Sequence, residues 1–329
     1  MTVADTHQAI EAVWRMEQAK LIAGLVRLVR DLGEAEELAH DALIIALEQW
    51  PTTGIPDRPG AWLMAAAKNK AIDRIRRARL IARKHEELGR EQDADGEASA
   101  PDLDAALDDD LGDELLSLIF TACHPVLSRE ARGALTLRLI GGLTTDEIAR
   151  AFLSNEATIA QRIVRAKKTI RDAAVAYEVP RGPERNERLA SVLEVIYLIF
   201  NEGYAATAAR DLIRPALCIE AQRMARILAG LMPDEPEVFG LLALMEIQAS
   251  RFGARTGADG LPVPITEQNR ARWDRLLIRH GLAALGRAEA LGGDCGPYTL
   301  QTAIAACHAR ALTAEETDWW LEGRGGGER

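Results

Sequence analysis

Cysteine is sparse and unpaired in this chain. Cys123, Cys218, Cys295 and Cys307 are spread over 329 residues with no CxxC pair. That excludes the disulfide framework of a small secreted domain and points to reduced thiols. Cys123-His124 and Cys307-His308 are adjacent Cys-His pairs. Neighbours on a helix point in different directions, so buried thiols are the better reading than a zinc site. Apolar runs long enough to span a bilayer are missing. The start, MTVADTHQAIEAVW, has no basic segment followed by an apolar one. No signal peptide is therefore expected, and the expected location is the cytoplasm. Catalytic signatures are lacking too: the histidines are scattered, and HExxH, P-loop and GxSxG do not occur. An enzyme is the least favoured class, and no cofactor or metal is expected. Net positive charge is also absent. A formal charge of −10 argues against a protein that coats nucleic acid. It leaves room for local basic patches, so the distribution of charge matters more than its sum.

What is present is enough apolar sequence, 48% of residues, to build two or three helical domains. The most informative stretch is residues 143 to 171, LTTDEIARAFLSNEATIAQRIVRAKKTIR. Thr144 and Glu147 have capping-box spacing, and Leu143 and Ile148 flank them as a hydrophobic staple. The helix they open is expected to end near Ala151. Phe152-Leu153-Ser154 form a turn, and Ser154 or Asn155 caps the next helix. There Ile159, Ile163, Ala166 and Ile170 make one apolar stripe at helical spacing. Thr158, Gln161, Arg165 and Lys168 lie opposite, with Arg162 on the flank. Such a helix suits the DNA major groove, because Gln and Arg make bidentate contacts to base edges and Lys serves phosphates. The same pattern reads equally as an ordinary amphipathic helix with a solvated basic face.

Taken in order, residues 8 to 50 are helical with a break at Asp31-Leu32-Gly33 and a stop at Pro51. A loop follows to Pro59, and Pro59 or Gly60 opens another helix with AWLMAAAKNKAIDRIRRARLIARK. Trp62, Ala66, Asn69 and Asp73 lie along one side of it. From Lys68 to Lys84 its charges are positive except Asp73. Density of this kind near a Trp is better explained by phosphates and unstacked bases than by a solvated helix end. From Glu86 to Glu114 acids crowd against Arg90 alone, which reads as a flexible acidic linker. Residues 111 to 142 supply two helices to pack beneath the helix-turn-helix. Beyond Pro180 the chain remains helical without basic clustering. RLASVLEVIYLIF reads as buried. A helix through Leu217 and Leu231 ends by Pro233, and another carries Val238 and Met245. Residues 253 to 266 are a loop. Trp273 and Leu277 begin a further helix, and Leu300 to Leu312 form the last. The helix pairs suggest an α-helical repeat, though no fixed period emerges.

With both basic helices placed, the chain resembles a bacterial RNA polymerase sigma factor of the sigma-70 family, extracytoplasmic-function (ECF) type. AEELAHDALIIALEQWP resembles the segment that docks on polymerase, with Leu43 standing where an aromatic is usual. RPGAWLMAAAKNKAIDRIRR resembles the segment that captures the promoter −10 element. LTTDEIARAFLSNEATIAQRIVRAKKTIRD resembles the helix-turn-helix that reads the −35 element. VIYLIFNEGY, RARWDRLLI and YTLQTAIAACHA resemble the tetratricopeptide-like C-terminal extension of one ECF subgroup, a likeness that stops after Thr317-Asp318-Trp319.

The resemblance implies an all-α chain. Residues 1–84 correspond to sigma region 2, 85–110 to the acidic linker, 111–180 to region 4, 181–320 to the extension and 321–329 to a disordered tail. It implies core RNA polymerase and promoter DNA as partners. It further implies an extension that influences activity, in place of an anti-sigma or other regulatory protein or beside one. Carried over by position, Glu37, Leu38, His40 and Asp41 contact polymerase. Asn69, Asp73, Arg74, Arg76 and Arg77 meet the −10 strand. Asn155, Glu156, Thr158, Gln161, Arg162 and Arg165 face the −35 duplex, with Lys167 and Lys168 on phosphates. Two other readings stay open: a helix-turn-helix regulator that acts without polymerase, and a helical-repeat interaction module.

Overall fold

The structure, a computed structural model, describes residues 3–87, 111–204, 215–257, 261–293 and 295–317. The expected acidic linker from residue 88 onward and the expected tail at 321–329 lie outside these residues. Among the described residues the fold is all-α, with one isolated antiparallel bridge between Thr256 and Pro262. No described helix is long and apolar enough to cross a membrane.

The chain forms two compact units. The first holds the described residues up to Ala122 together with Arg138–Gly142 and Arg165–Val179. Its helices are α1 (Val3–Val29), α2 (Leu32–Thr53), α3 (Pro59–Glu87) and α4 (Leu111–Ala122). Ile10, Leu21, Ile22, Leu25 and Val26 of α1 are buried, as are Leu38, Ala42, Ala46 and Trp50 of α2 and Leu63, Ala67 and Ala71 of α3. Spacings of three and four put each set on one face, and α1, α2 and α3 pack on one another there. α4 packs against α1.

The break between α1 and α2 falls at Arg30, in the left-handed region with φ 56°. A non-glycine residue there costs on the order of 1–2 kcal/mol. Asp31 then caps α2, its carboxylate accepting the Glu34 amide at 2.9 Å. Pro51 does not stop α2, contrary to the sequence expectation. The helix runs to Thr53 and closes at Gly54, whose φ of 84° lets its amide donate to the Trp50 carbonyl. Proline forfeits one helical hydrogen bond, and in a final turn flanked by exposed Leu47, Glu48 and Gln49 water can meet the freed carbonyl.

The second unit comprises Cys123–Leu137, Leu143–Val164 and the described residues from Pro180 onward. It contains most of α5 (Arg129–Leu139), α6 (Thr145–Ala151), the first half of α7 (Glu156–Asp172) and a C-terminal helical array. That array runs α8 (Pro183–Tyr204), α9 (Pro215–Leu231), α10 (Pro236–Ala249), α11 (Arg275–Ala290) and α12 (Pro297–Arg310). α10 is buried nearly all round, from Val238 to Ala249, because α8, α9, α11 and α12 all pack on it. Close approach is built in: a Cβ on Gly240 would lie 2.5 Å from Thr299 Oγ1, and one on Gly281 would lie 3.1 Å from the Ala243 carbonyl. Trp273 lies before α11 rather than in it. Asp274 caps that helix by accepting the Leu276 and Leu277 amides, while Trp273 is buried under it. α12 ends at Arg310, so Leu312 is exposed and belongs to no helix.

Candidate nucleic-acid interface

The capping box of α6 is complete. Glu147 donates its amide to Thr144 Oγ1 at 3.2 Å, and Thr144 donates its amide to the Glu147 carboxylate at 2.8 Å. α6 ends in a turn at Leu153, which takes φ 48° and stands exposed. Asn155 then caps α7, its Oδ1 accepting the Thr158 amide at 2.7 Å. Ile159, Ile163, Ala166 and Ile170 are all buried, so the stripe read from the sequence is the face that pins α7. Gly133 on α5 makes room for the Phe152 ring of the turn.

Pinning that face decides what the other side shows. Asn155, Glu156, Thr158, Gln161, Arg165 and Lys168 are exposed, and Arg162 is half-buried. Arg162 lies close enough to Glu130 for its charge to help hold that carboxyl below the usual range, after the hydrogen bonds from the Glu130 amide and Ser128. Lys168 pairs with Asp172 one turn on at 2.7 Å, a surface contact that water and salt can replace.

Lys167 differs from its neighbour. Its ammonium is bound by Glu36 of α2, whose other oxygen accepts Arg138 Nε at 2.5 Å. Glu36 is 6% exposed. Burial pushes its carboxyl up, but the charges and hydrogen bonds of Lys167 and Arg138 outweigh that and hold it low. Arg171 Nε donates to Asp31 at 2.6 Å. Arg138 also donates to His40 Nε2 at 3.1 Å. Because guanidinium is only a donor, that ring nitrogen accepts, and His40 Nδ1–H donates to the Glu36 carbonyl at 2.8 Å. Trp14 meets the same ring edge-on at 5.4 Å. Glu36 and Asp31 were absent from the sequence-level site; only the acidic start of α2 hinted at them.

The rest of α2 presents a second surface. Glu37 is exposed and Asp41 half-buried, whereas Leu38 is fully buried in the core. Ile44 and Leu47 continue the exposed side, an apolar pair that sequence reasoning did not single out. On α3, Asn69, Asp73, Arg76 and Arg77 are exposed. Arg74 reaches Glu37 at 3.1 Å and Asp41 at 3.6 Å, so one arginine links the two groups of expected contacts. Trp62 packs edge-to-face on buried Trp50 at 5.2 Å. The basic run is therefore anchored by an aromatic pair at the start of its helix.

Within the second unit, the extension grips α5. Arg132, 8% exposed, donates to Ser191 Oγ at 2.5 Å and meets Glu194 at 3.2 Å. Ser191 donates in turn to the Cys123 carbonyl at 2.6 Å, and Arg129 pairs with Glu194 as well. Cys123, Cys218 and Cys307 are buried free thiols, and Cys295 is exposed. Burial pushes Cys123 up to about 11.

Comparison with known proteins matches three segments of the chain to families. Residues 13–81 match sigma-70 region 2 and residues 117–170 match sigma-70 region 4. Residues 188–289 match a family of unknown function, DUF6596. An uncharacterized protein of Rhizobium meliloti is 42% identical over 299 residues, 91% of this chain and 70% of that protein. A probable ECF RNA polymerase sigma factor, SigI, of Mycobacterium tuberculosis is 28% identical over 54% of this chain and 60% of its own length. The ECF RNA polymerase sigma factor SigK of Mycobacterium ulcerans is 31% identical over 46% of this chain and 78% of its own length. No solved structure matches. The matched regions cover most of α1 to α3 and of α4 to α7, the helices that carry the exposed basic residues, and the chain belongs to the ECF sigma factors of the sigma-70 family, a group of bacterial transcription initiation factors, with a C-terminal extension that matches the DUF6596 family.

Proposed function

We propose that this sigma factor binds core RNA polymerase through the exposed side of α2 and directs it to promoters read at two elements. Glu37, Asp41, Ile44 and Leu47 form the docking side. Leu38 supports it from within, and His40 holds α2 in place through Arg138. Asn69, Asp73, Arg76 and Arg77 of α3 engage the unpaired −10 strand, with Arg74 released from Glu37 and Asp41 as polymerase and DNA arrive. Extracting a base costs a few kcal/mol, which a basic helix and an adjacent pocket can offset. Thr158, Gln161, Arg162 and Arg165 of α7 face base edges at −35, with Lys168 on a phosphate. Asn155 and Glu156, at the helix start, flank them. Lys167 joins the phosphate contacts only once Glu36 lets it go.

The observation that carries this reading is α7 itself. A short helix is held by four buried apolar residues and turns Thr158, Gln161 and Arg165 to solvent. The extension modulates that activity. Its first helix is bonded to α5 through Arg132, Ser191 and Glu194, so a change in α8 reaches the region that carries the reading helix. A separate anti-sigma protein is a further partner the family allows, and the cytoplasm is the working compartment. A regulator acting without polymerase would leave the exposed side of α2 without a task. Run-off transcription from a genomic promoter library, with bacterial core polymerase, tests the proposal. Discrete starts that need this chain, each preceded by a shared −35/−10 pair, are the expected result. Silence from folded chain with active core polymerase, or starts that do not need the chain, would contradict it.

A further inference from the structure

Several arginines of the extension pair with carboxylates. Arg185 meets Glu235, Arg188 meets Glu184, Arg223 meets Glu220 and Arg226 meets Glu246, all within 3.0 Å. Buried Arg270 donates to the carbonyls of His308 and Ala311 and to Thr317. Arg251 and Arg255 depart from this pattern. Both are half-buried. Their side chains hydrogen-bond to one residue, Tyr204: Arg251 Nη2 donates to its hydroxyl and Arg255 Nη1 to its carbonyl, each at 2.6 Å. The Arg255 guanidinium lies 3.6 Å over the Tyr204 ring, and that of Arg251 lies 5.9 Å from it. Neither pairs with a carboxylate among the described residues. Arg251 Nε is buried with no hydrogen-bond partner among the described residues, as are Arg188 Nε and Arg270 Nε, so the difference lies in the missing carboxylate.

Two like charges on one ring, partly removed from water, are costly without an anion. Burial lowers the Arg255 pKa; Tyr204 opposes that, and the charge of Arg251 adds to it. The Tyr204 carbonyl, in the last described turn of α8, takes only one of the several N–H donors that the Arg255 guanidinium offers. Half-buried Phe252 lies 5.9 Å from the Tyr204 ring and gives the site an aromatic side, while fully buried Phe200 stacks on Tyr204 from the core at 5.4 Å. Forked donors beside an aromatic side are the chemistry that recognises a carboxylate or phosphoryl group. We infer that Tyr204, Arg251 and Arg255 form a binding site in the extension for the oxyanion group of a small molecule. The ligand bridges the Nη groups of both guanidinia and supplies the anion that the described residues do not. This goes beyond promoter-directed initiation and gives the extension something to sense.

Thermal unfolding of the full chain tests it, with inorganic phosphate and succinate titrated separately at ionic strength held constant with sodium chloride. At least one is expected to raise the unfolding midpoint saturably by about 2–4 °C. A response to phosphate assigns a phosphoryl ligand, and a response to succinate a carboxylate. Arg251→Gln and Arg255→Lys, with unchanged circular dichroism, are expected to weaken half-saturation by about tenfold. No saturable response to either anion overturns the inference. So does an undiminished response in the variants, which would leave the arginines as caps of α8 alone. If neither variant folds, Tyr204→Phe decides: it keeps the ring and removes the hydroxyl that positions Arg251. Weaker binding then supports the site, and unchanged binding overturns it. The readout does not involve transcription, so failure here and failure of the initiation reading are distinguishable.

Discussion

The two ends of α7 carry the same kinds of side chain in different settings. Toward its start, Thr158, Gln161 and Arg165 stand in solvent. Toward its end, Lys167 is held by Glu36 and Arg171 by Asp31. Lys167 and Lys168 are adjacent, yet the Lys167 side chain is 17% exposed and that of Lys168 is 69% exposed. Composition cannot separate them. The difference comes from the apolar stripe, which rotates Lys167 toward α2 and Lys168 away. A basic residue on a DNA-reading helix is thus available or engaged according to which side of the buried isoleucines it falls.

The comparison breaks hardest at Glu36. Glu36→Ala leaves Arg138 and Lys167 without their carboxylate, and the loss of stability expected is about 3–5 kcal/mol. Urea unfolding of the full chain measures it. A loss near zero would mean that the engaged end of α7 is held by packing alone. On the open end, Gln161→Ala, Arg162→Ala and Arg165→Ala are each expected to cost about 1–3 kcal/mol at one promoter base if they contact its edge. Transcription from single-base −35 variants reads this out. Equal loss on every variant would mark a phosphate contact.

Acid sharpens the contrast. The carboxyls of Glu36 and Asp31 are both held low, Asp31 through the Glu34 amide and Arg171 against the cost of its burial. A depressed carboxyl contributes stability above its unfolded pKa of about 4, and that contribution is lost as pH falls through the folded value. The stability difference between the parent and Glu36→Gln is therefore expected to be flat from about pH 8 to 5 and to shrink below about pH 4. A difference that varied between pH 8 and 5 would contradict this account of Glu36. Smaller still, Lys168→Ala is expected to reduce the salt slope of holoenzyme–promoter binding by about 1 without changing base preference. Its exposed pair with Asp172 is expected to matter little, with Asp172→Ala within about 0.5 kcal/mol of parent stability.

Local rules made much of this visible beforehand. The Thr144–Glu147 box, the buried isoleucines of α7 and the opening of α3 at Pro59 follow from spacing within a few residues. Where long-range packing decides, sequence reasoning fell short. Leu38 looked like a contact residue and is core, because α1 and α3 both close over its side of α2. Glu36 looked like one acid among several, and its partners lie 102 and 131 positions away. Pro51 misled because Gly54, three residues on, supplies the actual stop.

The most direct test of the divided helix is transcription by the reconstituted holoenzyme on a promoter library randomised across −35. It would compare alanine at Thr158, Gln161 and Arg165 with alanine at Lys167, Lys168 and Arg171. The account predicts that the first set changes which bases are preferred, and that the second changes yield while leaving preference intact. Base preference that moved with Lys167 or Arg171, or that moved with none of the six, would contradict it.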